Sequence, residues 1–338
     1  MYYVAMQSRD IRQNLATEQY LMNEKDFDSP LLLFYIQSPS IIVGRNQNTL
    51  EEVNQKYVRE HNITVTRRLS GGGAVYDDLG NVSFSFVVDQ NKHRFGNFKA
   101  FTQPIINALH ELGATSAEVS GRNDLLIDGK KFSGNAMYTK AGKTFSHGTL
   151  MLDVDLNVVN QALNVPADKI KSKGIKSVRS RVTNLRPYLA PQYAHITTPE
   201  FRDLLIQRLL GVESLAAAKP YEYQLTATDR QRITALRQQL YDNWDWVYGH
   251  SPEFTVKKRQ HFDMGTIDAR FLIQAGKIAN VTFYGDFFGT RDVRELAKRL
   301  QGVNYDRQHV AAALQQVDTQ QYFNGIAKTA LLNLLTEQ

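Results

Sequence analysis

Arg67-Arg68-Leu69-Ser70-Gly71-Gly72-Gly73-Ala74-Val75-Tyr76 is the stretch on which the reading of this 338-residue chain turns. Ile63 and Val65 alternate with polar residues up to the arginines, and apolar residues resume at Ala74, so three glycines join two strands. Glycine lets a backbone approach a ligand closely and aim successive N–H groups at an anion, while neighbouring arginines add charge and paired hydrogen bonds. The spacing is not that of a P-loop, which needs a lysine after its last glycine and then a helix, nor is it G-x-G-x-x-G. Gly142-Lys143-Thr144 fails the P-loop test too, because Met137 stands where the first glycine belongs. The functional reading is a phosphate cradle between strands; the plain reading is a flexible turn.

Towards the N-terminus, Tyr3 and Val4 open a short strand, and Asp10 precedes Ile11, Leu15, Glu18 and Met22 at helical spacing. Strands are expected over 31–37 and 40–45, split by Ser38-Pro39, with Asn46-Gln47-Asn48 leading to a helix over 51–60. On the other side, 74–76 and Val82, Phe84, Phe86 and Val88 read as a hairpin turning at Asp78-Leu79-Gly80-Asn81. Phe98, Phe101, Ile105, Leu109 and Leu112 mark a helix. Strands return over 119–153, turning at Asp128-Gly129 and Ala141-Gly142-Lys143, so Lys131 sits just past a tight turn. Helices follow near 155–163, 198–210 and 228–241, and residues 169–186 carry seven basic and no acidic side chains. The pattern breaks over 243–252, then gives strands at 254–261, 265–274 and 277–284 and helices at 293–300 and 310–316. Hairpins and helices without regular alternation indicate an α+β fold around a largely antiparallel or mixed sheet. The break near residue 250 separates a domain of residues 1–248 from one of residues 249–338.

Composition sets outer limits. With 42 % hydrophobic and 22 % charged residues the chain has ordinary globular usage, and its length suits one large and one small domain. The apolar run from Leu31 to Ile36 is far below the roughly 20 residues that span a bilayer, so no membrane segment is expected. The absence of cysteine excludes disulfides, thiolate metal sites and a cysteine nucleophile, and points to the cytoplasm. Forty basic against thirty-four acidic residues leave a formal +6, which suits an anionic substrate or acidic partner; no nucleic-acid-binding motif accompanies it.

Two further segments carry candidate chemistry. Gly121-Arg122-Asn123-Asp124 belongs with Lys130-Lys131-Phe132-Ser133-Gly134-Asn135-Ala136, and His147-Gly148-Thr149-Leu150 follows. A lysine fixed on a strand beside small residues can hold a positive charge against a carboxylate and a phosphate as they combine. Asp124 could orient that lysine or contact magnesium. Taken singly, each has an ordinary alternative: solvated turn lysines, a strand-edge carboxylate and a hydrogen-bonded core histidine.

Taken in order, the motifs resemble the lipoate–protein ligase A family. They are Val43-Gly44-Arg45 with Gln47-Asn48; Arg67-Arg68-x-Ser70-Gly71-Gly72-Gly73-Ala74-Val75; Gly121-Arg122-Asn123-Asp124; Lys131 with Ser133-Gly134; His147-Gly148-Thr149-Leu150; and Lys173-Gly174-Ile175 through Ser177-Val178-Arg179-Ser180-Arg181-Val182-Thr183-Asn184-Leu185. The resemblance covers about residues 40–190, and the tail is similar to the family's small C-terminal accessory domain. It implies a biotin/lipoate ligase catalytic fold related to class II aminoacyl-tRNA synthetases, with ATP and Mg2+ as cofactors and lipoate as substrate. It further implies that Arg68, Gly73, Ala74, Val75, Tyr76 and Lys131 bind ATP. Lys131 is then also the catalytic residue and meets lipoate together with Ser70, Gly72 and His147, with Asn123 and Asp124 in support; the metal ligands are left open. Lys130 is the weaker of the lysine pair, because the family lysine stands two residues before Ser-Gly. The partners implied are lipoyl-acceptor proteins, namely 2-oxoacid dehydrogenase acyltransferase subunits and the glycine cleavage H protein. Acyl transferases of the same fold pass the acyl group through a cysteine, which this chain lacks, and the Gly-Arg-Gly-Arg type loop of a biotin ligase is missing. A binding module without catalysis would have no evident need for the Arg68, Gly73 and Lys131 set.

Overall fold

The computed structural model describes residues 1–89, 96–121, 123–164, 182–248 and 255–336. Arg122 and residues 169–181 of the basic run lie outside the described residues, and with them most of the last family motif.

Strands β1 (Tyr2–Ala5), β2 (Leu31–Tyr35), β3 (Ser40–Val43), β4 (Thr64–Arg67), β5 (Val75–Asp77) and β6 (Asn81–Asp89) precede the helix Phe98–Glu111. Strands β7 (Ala117–Ser120), β8 (Asp124–Ile127), β9 (Lys130–Lys140) and β10 (Lys143–Met151) follow it as a meander. Among the described residues these form a seven-stranded sheet in the order β1-β2-β6-β10-β9-β8-β7 and a three-stranded sheet in the order β4-β3-β5. The pairing is antiparallel except for β1 with β2 and β3 with β4, so the sheets are mixed, as expected.

The hairpin expected around Asp78-Leu79-Gly80-Asn81 does not form. β5 pairs with β3 in the small sheet, whereas β6 pairs with β2 and β10 in the large one. The reason lies in burial on two sides: Tyr76 packs with Ile41, Val43 and Val58, while Phe84 and Phe86 pack under the helix Phe98–Glu111. Gly80 lies so close to the Asp153 carbonyl that a Cβ would collide with it, and the chain there steps from one sheet to the other. The helix expected over 51–60 is likewise two pieces, Thr49–Glu52 and Gln55–Glu60, the second capped by Asn54 accepting from Tyr57 N–H.

Two helix layers cover the large sheet. Phe98–Glu111 and Thr198–Leu210 bury Phe101, Ile105, Phe201 and Leu205 on one face. On the other, Ile11–Glu24 starts where Asp10 accepts from Arg12 N–H and buries Ile11, Leu15 and Leu21 beside Ala227–Leu236. Beyond residue 254, β11 (Val256–Phe262), β12 (Gly265–Gln274) and β13 (Lys277–Gly285) form an antiparallel sheet packed on the helices Val293–Leu300, Arg307–Leu314 and Lys328–Thr336 around Phe271, Phe283 and Leu331. The last helix had no counterpart in the sequence reading. Where the two units meet, Arg45 pairs with Asp292 at 2.9 Å and Gly285 N–H donates to the Asn46 carbonyl.

Candidate active site

The two sheets and the first helix diverge around a cleft of about 600 Å³ including its open mouth. The helix contributes Leu15, the large sheet Tyr35, Ser83 and His147, and the small sheet Ile42, Arg68, Asp77 and the glycine run. Of the residues picked out in the sequence, Arg68, Gly72, Gly73, Ala74, Val75, Asn123, Lys131 and His147 line this cleft. Ser70, Tyr76 and Asp124 are not among the residues that line it.

The two arginines divide their work. Arg67 turns away from the cleft, donating to the Gly44, Arg45 and Gln47 carbonyls, to Thr49 Oγ1, and to the Trp246 and Val247 carbonyls. Arg68 is 5 % exposed and donates from Nε to Ser70 Oγ, from Nη1 to the Ile42 carbonyl, and from Nη2 to the carbonyls of Gly71 and Gly73 at 2.8 Å. Burial pulls both guanidinium pKa values down to about 10, still charged near neutrality. With its carbonyls held inward by Arg68, the loop can direct main-chain N–H groups outward.

The three glycines are there for different reasons. Gly72 adopts φ +92°, and a Cβ there would lie 3.0 Å from both Arg68 Nη2 and the Phe288 ring. A Cβ on Gly71 would strike the Phe287 carbonyl of the C-terminal unit. Gly73 has open space where its Cβ would be, which leaves room for a ligand.

Lys131 Nζ pairs with Asp124 Oδ1 at 2.7 Å, and both side chains are about one-third exposed. In the β8–β9 hairpin Asp124 is paired with Gly134 and Lys131 with Leu126, so the two side chains meet on the diagonal, and a Cβ on Gly134 would come within 3.1 Å of Nζ, so the small residue there makes room for the ammonium. Lys130 points to solvent. Asn123 closes the preceding turn by donating to the Asn135 carbonyl at 2.7 Å, and Asn135 donates back to the Asn123 carbonyl. Thr183 N–H donates to the Lys131 carbonyl, so the chain leaving the basic run is tied to the lysine strand.

Behind the cleft runs a buried chain that the sequence reading did not anticipate. Glu18 accepts from His147 Nδ1 at 3.0 Å, His147 Nε2 meets Ser70 Oγ at 2.7 Å, and Ser70 Oγ accepts from Arg68. With Nδ1–H donating to Glu18, Nε2 is placed to accept from the Ser70 hydroxyl, so the chain joins the Glu18 carboxyl group to the Arg68 guanidinium. Glu18 lies within the apolar stripe of its helix, and that position was the available signal. Asp77 was also missed. It is buried at the cleft, accepts from Gln37 Nε2 and Ser83 Oγ, and burial, reinforced by Asp78, raises its pKa to about 7. Tyr76 turns its ring into the small sheet's core, and burial raises its phenol pKa.

The family model described as the lipoyl protein ligase A/B catalytic domain matches residues 10–210, and that of the bacterial lipoate protein ligase C-terminus matches residues 251–335. The chain is 46 % identical over 326 residues to lipoate-protein ligase LplJ of Bacillus subtilis, covering 96 % of this chain and 97 % of that one. It is 43 % identical to lipoate–protein ligase 1 of Staphylococcus aureus, covering 96 % of each. Among solved structures, the fold matches P. falciparum LipL1 in complex with lipoate, with a TM-score of 0.75, 23 % identity and 94 % of each chain covered. The bipartite lipoate protein ligase of Thermoplasma acidophilum matches with a TM-score of 0.63 and 27 % identity over 75 % of this chain and 98 % of that one. Fold and relatives define an enzyme of the ligase class. The chain belongs to the lipoate–protein ligase family.

Proposed function

We propose that this chain activates lipoate with ATP and then transfers the lipoyl group to a lysine of an acceptor protein, and the observation that carries the reading is Lys131 on the same cleft as the Arg68-held glycine loop. A carboxylate oxygen of lipoate attacks the α-phosphorus, the Pα–O bond to the β-phosphate breaks, and pyrophosphate leaves. The acceptor amine then attacks the acyl carbon, AMP leaves, and the amine proton passes to solvent. Both steps concentrate negative charge at the phosphate, where Lys131 and main-chain N–H groups at 73–75 supply fixed positive potential. Arg68 acts by shaping the loop, since its Nε, Nη1 and Nη2 all donate to protein acceptors. Leu15, Tyr35, Ile42 and Val75 form an apolar wall for the acyl tail, with Ser70 and His147 behind it.

Among the described residues no three histidine or carboxylate side chains converge, and Asp124 is taken by Lys131. The described chain therefore offers no magnesium cage; Mg2+ would travel with the triphosphate, and no step above is routed through it. Catalytic and accessory units are assigned to residues 1–248 and 249–338, whose cores are separate apart from Phe288, which joins the catalytic one. The acceptors proposed are the acyltransferase subunits and the H protein, encountered in the cytoplasm; among the described residues no helix is long and apolar enough to cross a membrane. Pyrophosphate exchange with lipoate, octanoate or biotin, without acceptor, tests the reading. Lipoate-dependent exchange is expected; exchange with biotin alone would overturn it.

A further inference from the structure

Phe287 and Phe288 lie between β13 and the helix Val293–Leu300, and their rings go to different units. Phe287 is 1 % exposed and stacks edge-on with Phe323 in the C-terminal core. Phe288 is 3 % exposed and belongs to the core of the catalytic unit, with its ring 5.9 Å from that of Phe98. The segment is held by its own unit: Asn324 N–H donates to the Phe288 carbonyl, and Thr290 and Arg291 N–H groups donate to the Gln321 carbonyl. This fixed edge touches the glycine loop from outside, since the Phe287 carbonyl fills the space beside Gly71 and the Phe288 ring the space beside Gly72. Arg68 holds the same loop from inside. Gly44 closes the third side, for a Cβ there would collide with the Gly72 carbonyl.

We propose that Phe288 is a positioning residue for the nucleotide step: the docked C-terminal unit, through Phe288, holds the loop at 71–73 in its nucleotide-accepting shape. The inference rests on the reading that this loop takes ATP. Coupling of this kind is reciprocal, so docking that favours nucleotide is itself favoured by nucleotide. Two of the three glycines are then specified by the accessory unit and Arg68, and the third by the ligand.

The test uses the full chain, its Phe288→Ala, Phe288→Leu and Arg45→Gln variants, and two readouts: lipoate-dependent pyrophosphate exchange, and amide hydrogen exchange of residues 70–74. Phe288→Ala is expected to raise the ATP KM about tenfold, within the usual range of coupling factors, and to speed loop exchange, with the lipoate KM changed less than about twofold. Phe288→Leu is expected to recover most of the ATP KM. Arg45→Gln weakens the dock at its rim without touching the loop core and is expected to raise the ATP KM about threefold; it serves if Phe288→Ala does not fold. An unchanged ATP KM in a folded Phe288→Ala, or in Arg45→Gln with the dock shown by hydrogen exchange to be loosened, overturns the proposal and leaves the nucleotide reading intact. Absence of lipoate-dependent exchange in the parent chain instead overturns that reading.

Discussion

In the mechanism proposed above, Lys131 is the residue on which the chemistry most depends. Its ammonium is positioned by Asp124 and by the space at Gly134, so Lys131→Ala is expected to slow adenylate formation at least 100-fold, the scale of removing one preorganised charge. Single-turnover formation of acyl-AMP, with circular dichroism to verify the fold, checks this. Asp77 bears on stability instead. Its folded pKa, about 7 against 3.8, means the native state keeps a proton that the unfolded chain releases. Stability should therefore fall as pH rises from about 4 to 7 and level off above, by an amount on the order of 4 kcal/mol at most. Asp77→Asn should flatten that part of the curve, which urea unfolding at a series of pH values would show; an unchanged slope would contradict the protonated assignment.

At the scale of elements, Arg67 fastens the turn at 44–49 and the short helix Trp244–Val247 to the end of β4. Its replacement by alanine leaves several buried carbonyls unpaired and is expected to destabilise the fold by about 3 kcal/mol or more, read as a drop in denaturation midpoint. Such a role was hidden in the sequence, where two adjacent arginines before glycines look equivalent. Other elements were plain: Thr198–Leu210, Gly265–Gln274 and Val293–Leu300 form over the residues the sequence pattern marks. The false hairpin shows the limit of local pattern, because Asp78-Leu79-Gly80-Asn81 has turn chemistry and alternation on both sides. Which sheet each strand joins was decided by β3 and β10, remote in the chain. The site followed the same rule. Lys131 and the glycines were legible from their neighbours in sequence, whereas Glu18 reaches Ser70 only through His147, 129 residues away.

For the molecule as a whole, the excess of six positive charges suits a carboxylate-rich acceptor surface. Acceptor modification from preformed acyl-AMP is expected to slow several-fold between about 50 and 300 mM salt, as steered encounters do, while adenylate formation changes less. Stopped-flow rates across a salt series would decide it; a flat response would remove steering. Between β5 and β6 the chain crosses from the small sheet to the large one. Leu79, 54 % exposed, stands at that crossing, with the glycine loop entirely before it and Lys131 entirely after it. Exposed loop tips are where chains tolerate being opened. A chain divided at Leu79 would yield two pieces, each carrying half of the cleft and neither able to form an acyl-adenylate alone, so that lipoyl attachment would become a direct signal of their reunion.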